Sequence, residues 1–120
     1  MPSLGLVLDC TSPERLAEFW AAALGYQRLG AAGQYVLLHP PEPGQPKLLL
    51  QQVPEPKAVK NRMHLDIETP DIEAEAGRLE NLGAARVDAG TRSEHGSTWI
   101  LMADPEGHEF CVCDGGGGCA

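Results

Sequence analysis

GLVLDCTSPERLAEFWAAALGY, from Gly5 to Tyr26, and HLDIETPDIEAEAGRLENLGAA, from His64 to Ala85, carry one pattern twice. Each opens with a short alternating strand, passes a Thr and a Pro, and enters a helical stretch that stops at Leu-Gly. Such self-similarity marks a duplicated structural unit. In the first copy Ser12 suits the helix N-cap and Pro13 the first helical position. Leu16, Phe19, Trp20, Ala23 and Leu24 then share one face, which predicts core roles, Trp20 included. Gly25 supplies the left-handed stop. The second helix starts near Asp71, with Ile72, Ala76 and Leu79 as its apolar stripe and Glu73, Glu75, Arg78 and Glu80 on a solvated face.

Three strand-like runs follow each helix. In the first copy they are residues 26–29, 34–39 and 47–53; in the second, 85–89, 97–103 and 108–113. PPEPGQP and DPEG, rich in Pro and Gly, make the turns before the last run of each copy. KLLLQQV, from Lys47, and HEFCVC, from His108, correspond, with Gly5 opposite His64 and Gln51 opposite Cys111. The unit is β-α-β-β-β, used twice, so eight strands and two main helices are expected. Residues 1–113 read as one domain: module one over 4–53, a connector over 54–61, module two over 62–113. Residues 114–120, ending GGGGCA, read as a flexible tail.

Alternation sorts side chains by face. A helix covers one face of its sheet, and that face must be apolar. Leu6, Leu8, Leu48, Leu50, Leu65, Ile67, Phe110 and Val112 fit the helix side. Asp9, Gln51, His64, Asp66, Glu68, Glu109 and Cys111 then gather on the other. That face is too polar for a second dry core and suits a wet concave pocket.

Composition narrows the function. The chain has 120 residues, 42% hydrophobic and 22% charged, which is globular usage. Nine Lys+Arg against 17 Asp+Glu leave a net charge of −8, which disfavours nucleic-acid and anionic-membrane partners. No apolar run spans a bilayer and no signal-type start is present, so a cytoplasmic location is expected. The four cysteines, Cys10, Cys111, Cys113 and Cys119, read as reduced thiols with at least one in the core. Cys111 and Cys113 point the same way on a strand, which is poor geometry for a bridge.

The tandem βαβββ units, the strand beginning HLDI, the Leu-Gly helix stops and the late DPEG turn together resemble the vicinal oxygen chelate superfamily. Within it the chain looks like the glyoxalase-like or bleomycin-resistance branch, over nearly all of Leu4–Cys113. The resemblance implies an α+β fold of two βαβββ modules forming a cup-shaped mixed sheet, often dimeric, with a divalent metal in many members. It implies metal ligands, mostly His, Glu or Gln, on the first, fourth, fifth and eighth strands. Carried onto this chain, those positions are Gly5, Gln51, His64 and Cys111. Gly5 has no donor, Gln51 is a neutral oxygen, His64 matches, and Cys111 stands where a carboxylate is usual. Glu109 is a possible substitute, roughly 6.5 Å along the strand. A His and Cys pair favours zinc over magnesium or manganese. With the usual set incomplete, no bound metal is expected; any that bound would use His64 with Gln51, Glu109 or Cys111.

The function expected is a small-molecule enzyme of glyoxalase-like type, a lyase or isomerase acting on a small polar metabolite. His64 and Glu109 are the candidate acid–base groups, and Gln51, Asp66, Cys111 and Asp9 the candidate ligand contacts. One alternative is a resistance or binding protein that sequesters a ligand without turnover. Aromatic residues at 5% argue against stacking a planar drug. A further alternative is pterin carbinolamine dehydratase-like activity. Asp104 and Glu106 read as turn-shaping, His95 and His108 as solvated, and Arg92–His95 as a polar loop, a candidate pocket lid. No Ser-His-Asp spacing, P-loop or dinucleotide fingerprint is present. Open sheets carry edges that proteins usually cover, which predicts a homodimer. Light scattering is expected to give about twice the chain mass of 12.8 kDa at micromolar concentrations, and the monomer mass throughout would refute the dimer.

Overall fold

The structure, a computed structural model, describes residues 2–88, 90–94 and 96–114. Its contacts fall into two compact units, Met1–Lys57 and Ala58–Ala120. The first contains β1 (Gly5–Cys10), α1 (Pro13–Leu24), β2 (Gln27–Ala32), β3 (Tyr35–His39) and β4 (Lys47–Gln52). The second contains β5 (Asp66–Glu68), α2 (Ile72–Leu82), β6 (Ala85–Arg86), β7 (Arg92–Glu94), β8 (Ser97–Ala103) and β9 (Glu109–Cys113).

The two sheets share one topology. Their strand orders are β1-β4-β3-β2 and β5-β9-β8-β6, with β7 added against β8. In each, the first and last strands pair in parallel and the remaining pairs are antiparallel. The fold class is thus α+β with two βαβββ modules, each closing a sheet of its own.

The helices form where the caps allow. α1 begins at Pro13, although the Ser12 side chain makes no cap hydrogen bond. In α2, Asp71 Oδ1 accepts from Ala74 N–H at 3.1 Å. Both helices end on a glycine with positive φ, 70° at Gly25 and 118° at Gly83, where a Cβ would be strained. Leu16, Phe19 and Trp20 of α1 are buried, with Val36, Leu38, Leu48 and Leu50 from the sheet. Trp20 is a core residue as expected, its ring edge-on to Phe19 at 5.1 Å. In the second unit Ala76 and Leu79 are buried, as are Ile100, Met102, Phe110 and Val112. Arg86 of β6 reaches Glu73 of α2 at 3.1 Å and tethers helix to sheet edge.

Several expectations give way. There are nine strands among the described residues, not eight, because Arg92–Glu94 pairs with Ser97–Trp99 and is not a lid loop. The cause is Gly96, whose φ of 78° permits a tight reversal between β7 and β8. β5 covers only Asp66–Glu68, so His64 and Leu65 lead into it. β6 stops at Arg86. Ala89, His95 and Cys119 lie outside the described residues, as does most of the glycine-rich tail. Cys10, Cys111 and Cys113 are buried and not disulfide-bonded.

His108 is not solvated. It is 5% exposed, and its Nδ1 lies 2.9 and 2.8 Å from the two Asp104 carboxylate oxygens. Asp104 Oδ1 also accepts from the backbone N–H groups of Glu106 and His108, at 2.9 and 3.0 Å. The DPEG turn is therefore wrapped around one buried carboxylate, and Asp104 shapes the turn as expected. Asp104→Ala strands these donors in a buried setting and is expected to lower the unfolding free energy by about 3 kcal/mol. Chemical denaturation measures this, and a loss below about 1 kcal/mol would mean that the turn closes without the carboxylate.

Candidate functional site

The site begins with a pairing. β5 lies parallel to β9 with Asp66 opposite Cys111, and Cys111 N–H donates to Leu65 O at 2.9 Å just before it. His64 precedes Asp66 by two residues, so both side chains leave the same face of the pleat. The result is a cluster in which donor atoms of His64, Asp66 and Cys111 all lie within 4.8 Å of one another. His64 and Asp66 are partly exposed, while Cys111 is 1% exposed.

His64 Nδ1 stands 3.4 Å from Asp66 Oδ1. That exceeds the ordinary N–H···O distance of about 2.9–3.0 Å. Nδ1 has no hydrogen-bond partner, so the contact is a close approach without a hydrogen bond. The imidazole has a carboxylate beside it and a buried ring nitrogen without a hydrogen bond.

The remaining predicted site residues are placed elsewhere. Asp9 and Gln51 are register partners in β1 and β4, in the first unit. Glu109 is in the second unit but outside the cluster: its Oε1 accepts from Asn61 N–H at 2.9 Å, and its carbonyl from Asn61 Nδ2 at 3.5 Å. It anchors the segment leading to β5. A cleft of about 350 Å³ in the first unit lies at the start of α1, lined by Thr11, Ser12, Glu14, Tyr35 and Gln52 among others. Its one carboxylate, Glu14, is paired to Arg28 at 2.6 Å. The chemistry therefore concentrates in the second unit.

The repeat register needs one correction. Tracing pairings from the helix-stop glycines, Gln27 opposite His39 corresponds to Ala85 opposite Ala103. Leu38 opposite Leu48 then corresponds to Met102 opposite Phe110. Val7 opposite Leu49 follows as the counterpart of Asp66 opposite Cys111. Counting back two residues, Gly5 corresponds to His64, as the sequence suggests. Cys111, however, corresponds to Leu49 and not to Gln51. A two-residue slip keeps every side chain on its face, so alternation alone cannot detect it.

Two residues escaped the sequence reading. Along β8, Ser97, Trp99 and Leu101 point away from the helix, opposite to Ile100 and Met102. Trp99 packs with Cys111 and Cys113, with Leu101 against them. The helix-free face of this sheet is therefore more apolar than expected. Ser97 Oγ and Trp99 Nε1 are buried without a hydrogen-bond partner, on side chains 3% and 4% exposed. The alternation in STWIL was the available signal.

A profile of the glyoxalase-like domain matches residues 5–113. The chain belongs to the glyoxalase-like domain family. Solved structures share the fold. A glyoxalase/bleomycin resistance protein/dioxygenase family enzyme from Burkholderia phytofirmans superposes with a TM-score of 0.72 at 13% identity, covering 90% of this chain and 94% of that one. Fosfomycin resistance protein FosX from Mesorhizobium loti gives 0.70 at 17%, covering 95% and 92%. A mutant FosX from Listeria monocytogenes, complexed with Mn(II) and 1S,2S-dihydroxypropylphosphonic acid, gives 0.74 at 12%, covering 96% and 91%. No curated protein matches significantly. No helix among the described residues is long and apolar enough to cross a membrane.

The metal arrangement implied by the superfamily does not fit this glyoxalase-like chain. In the first module the equivalent positions hold Gly5 and Leu49, and neither has a donor atom. At the equivalent positions, donors remain only in the second module, on His64 and Cys111.

The orphaned hydroxyl supplies a test. A buried unsatisfied polar group costs about 1–3 kcal/mol. Ser97→Ala is expected to raise the stability of the ligand-free protein by about 1 kcal/mol. Thermal or denaturant unfolding reads it, and a loss of stability would show that the hydroxyl is satisfied.

Proposed function

We propose that the protein is a small-molecule enzyme of glyoxalase-like type, performing lyase or isomerase chemistry on a small polar metabolite at the helix-free face of its second sheet. The observation that carries this reading is the convergence of His64, Asp66 and Cys111. An imidazole with a ring nitrogen to spare, beside a carboxylate, is suited to take a proton from a substrate carbon or hydroxyl and return it elsewhere. Asp66 Oδ1 stands 3.4 Å from His64 Nδ1 and holds a carboxylate beside the ring. Trp99 Nε1 and Ser97 Oγ, both donors without partners, suit a ligand that carries acceptor oxygens. The apolar wall of Trp99, Leu101 and Cys113 limits water around it.

The reading is tested by assaying hemithioacetals, hydroxy acids and enolisable carbonyl compounds. Loss of a general base typically costs 10²–10⁴-fold. His64→Gln is expected to lower kcat/KM by roughly that factor and Trp99→Phe to raise KM. Equal turnover by wild type and His64→Gln would reject the assignment. Stoichiometric binding without turnover would replace catalysis by sequestration.

A further inference from the structure

We propose that the site takes an uncharged ligand through a carbonyl oxygen, held by Trp99 Nε1 and Ser97 Oγ, and discriminates against carboxylates and phosphonates. This deepens the proposed function by naming the substrate class, and it rests on that reading for where the site lies.

The donors come first. Ser97 and Trp99 are two residues apart on β8, so their side chains leave the same, helix-free face, about 6.5 Å apart along the strand. Both residues are more than nine-tenths buried. Neither polar atom has a hydrogen-bond partner among the described residues. Buried polar groups are as a rule paired, so two orphans side by side on one strand face point to a missing ligand. The indole N–H only donates and the hydroxyl can donate, so the matching ligand atom is an acceptor oxygen. The pair adjoins the proposed acid–base cluster. Trp99 packs with Cys111, whose thiol lies within 4.8 Å of donor atoms of His64 and Asp66.

The surrounding charges decide the class. The register runs Arg92, Trp99, Cys113, Glu68 straight across β7, β8, β9 and β5. Register partners share a face, so Glu68 stands two strands from Trp99, about 10 Å away. Arg92 is the one cation of this face among the described strand residues, since Arg86 of β6 turns to Glu73 of α2. Arg92 is itself paired with Asp88. His64 already has the Asp66 carboxylate 3.4 Å away. The face thus offers neutral donors and carboxylates, with its cation already engaged. Around the donors the wall is Leu101, Cys111 and Cys113. An anionic ligand would lose its water against that wall, gain no free opposite charge, and meet Asp66 and Glu68. A carbonyl oxygen loses far less water and gains both donors.

The test uses the full chain labelled with ¹⁵N and reads the indole N–H signals of its two tryptophans, Trp20 and Trp99. Trp99→Phe, or assignment through the backbone, tells them apart. Lactamide, hydroxyacetone and γ-butyrolactone are the uncharged probes; lactate, nearly isosteric with lactamide, and methylphosphonate are the anions. The Trp99 signal is expected to move downfield saturably with the uncharged probes while the Trp20 signal stays. Lactate should bind at least about fivefold more weakly than lactamide, and methylphosphonate should give no saturable shift. Ser97→Ala should weaken lactamide binding roughly two- to tenfold, yet leave the ligand-free protein at least as stable as wild type. A serine with a purely structural role would not produce that opposed pair of effects. The assignment is overturned by any of three results: no saturable Trp99 shift with any uncharged probe, an anion binding as tightly as lactamide, or unchanged affinity in Ser97→Ala. His64-dependent turnover of a hydroxy acid in preference to its amide would sink the uncharged class and leave the proposed function standing. Saturable binding of the uncharged probes with no turnover of any substrate would do the reverse.

Discussion

In each half of the chain one helix must cover one face of one sheet, and the pleat then sends every second side chain to the opposite face. That constraint organises everything else. Leu48, Leu50, Phe110 and Val112 are committed to the helix and are buried there. His64, Asp66 and Cys111 are thereby committed to the other side, where a small, donor-rich cluster forms.

The two copies of the unit have diverged in what they place on that free face. The first copy offers Gly5 and Leu49 at the positions where the second offers His64 and Cys111. A shared strand order, with β7 added in the second copy, thus supports two different surfaces. In the second copy a carboxylate, an imidazole and a thiol lie within reach of one another.

Supporting structure surrounds the cluster. The Glu109 carboxylate, which alternation makes a candidate catalytic group, is occupied in holding Asn61 and so sets the path of the chain into β5. Asp104 gathers two backbone N–H groups and the His108 ring, which fixes the turn from β8 into β9. Both carboxylates act through the position of the strands that carry the donors. The apolar wall of Trp99 and Cys113 flanks Cys111 from the next strand.

Much of this was legible in the sequence. The repeat, the helix stops at Gly25 and Gly83, the helix-facing residues and the α+β class follow from period and cap chemistry, which are local properties of the chain. His64 was legible as a residue of the helix-free face because alternation along its run is set locally. Three features required the folded protein. The register of β4 depends on the long PPEPGQP turn, and a slip of two residues preserves the face, so Leu49 could not be told from Gln51 by pattern. The burial of His108 depends on a hydrogen bond to a residue four positions earlier, and loop composition carries no sign of it. The grouping of Asp66 with Cys111 depends on a parallel pairing between strands 45 residues apart. Side-chain period is written into the chain residue by residue, whereas pairing between distant strands is decided only by how helix, turn and sheet pack together.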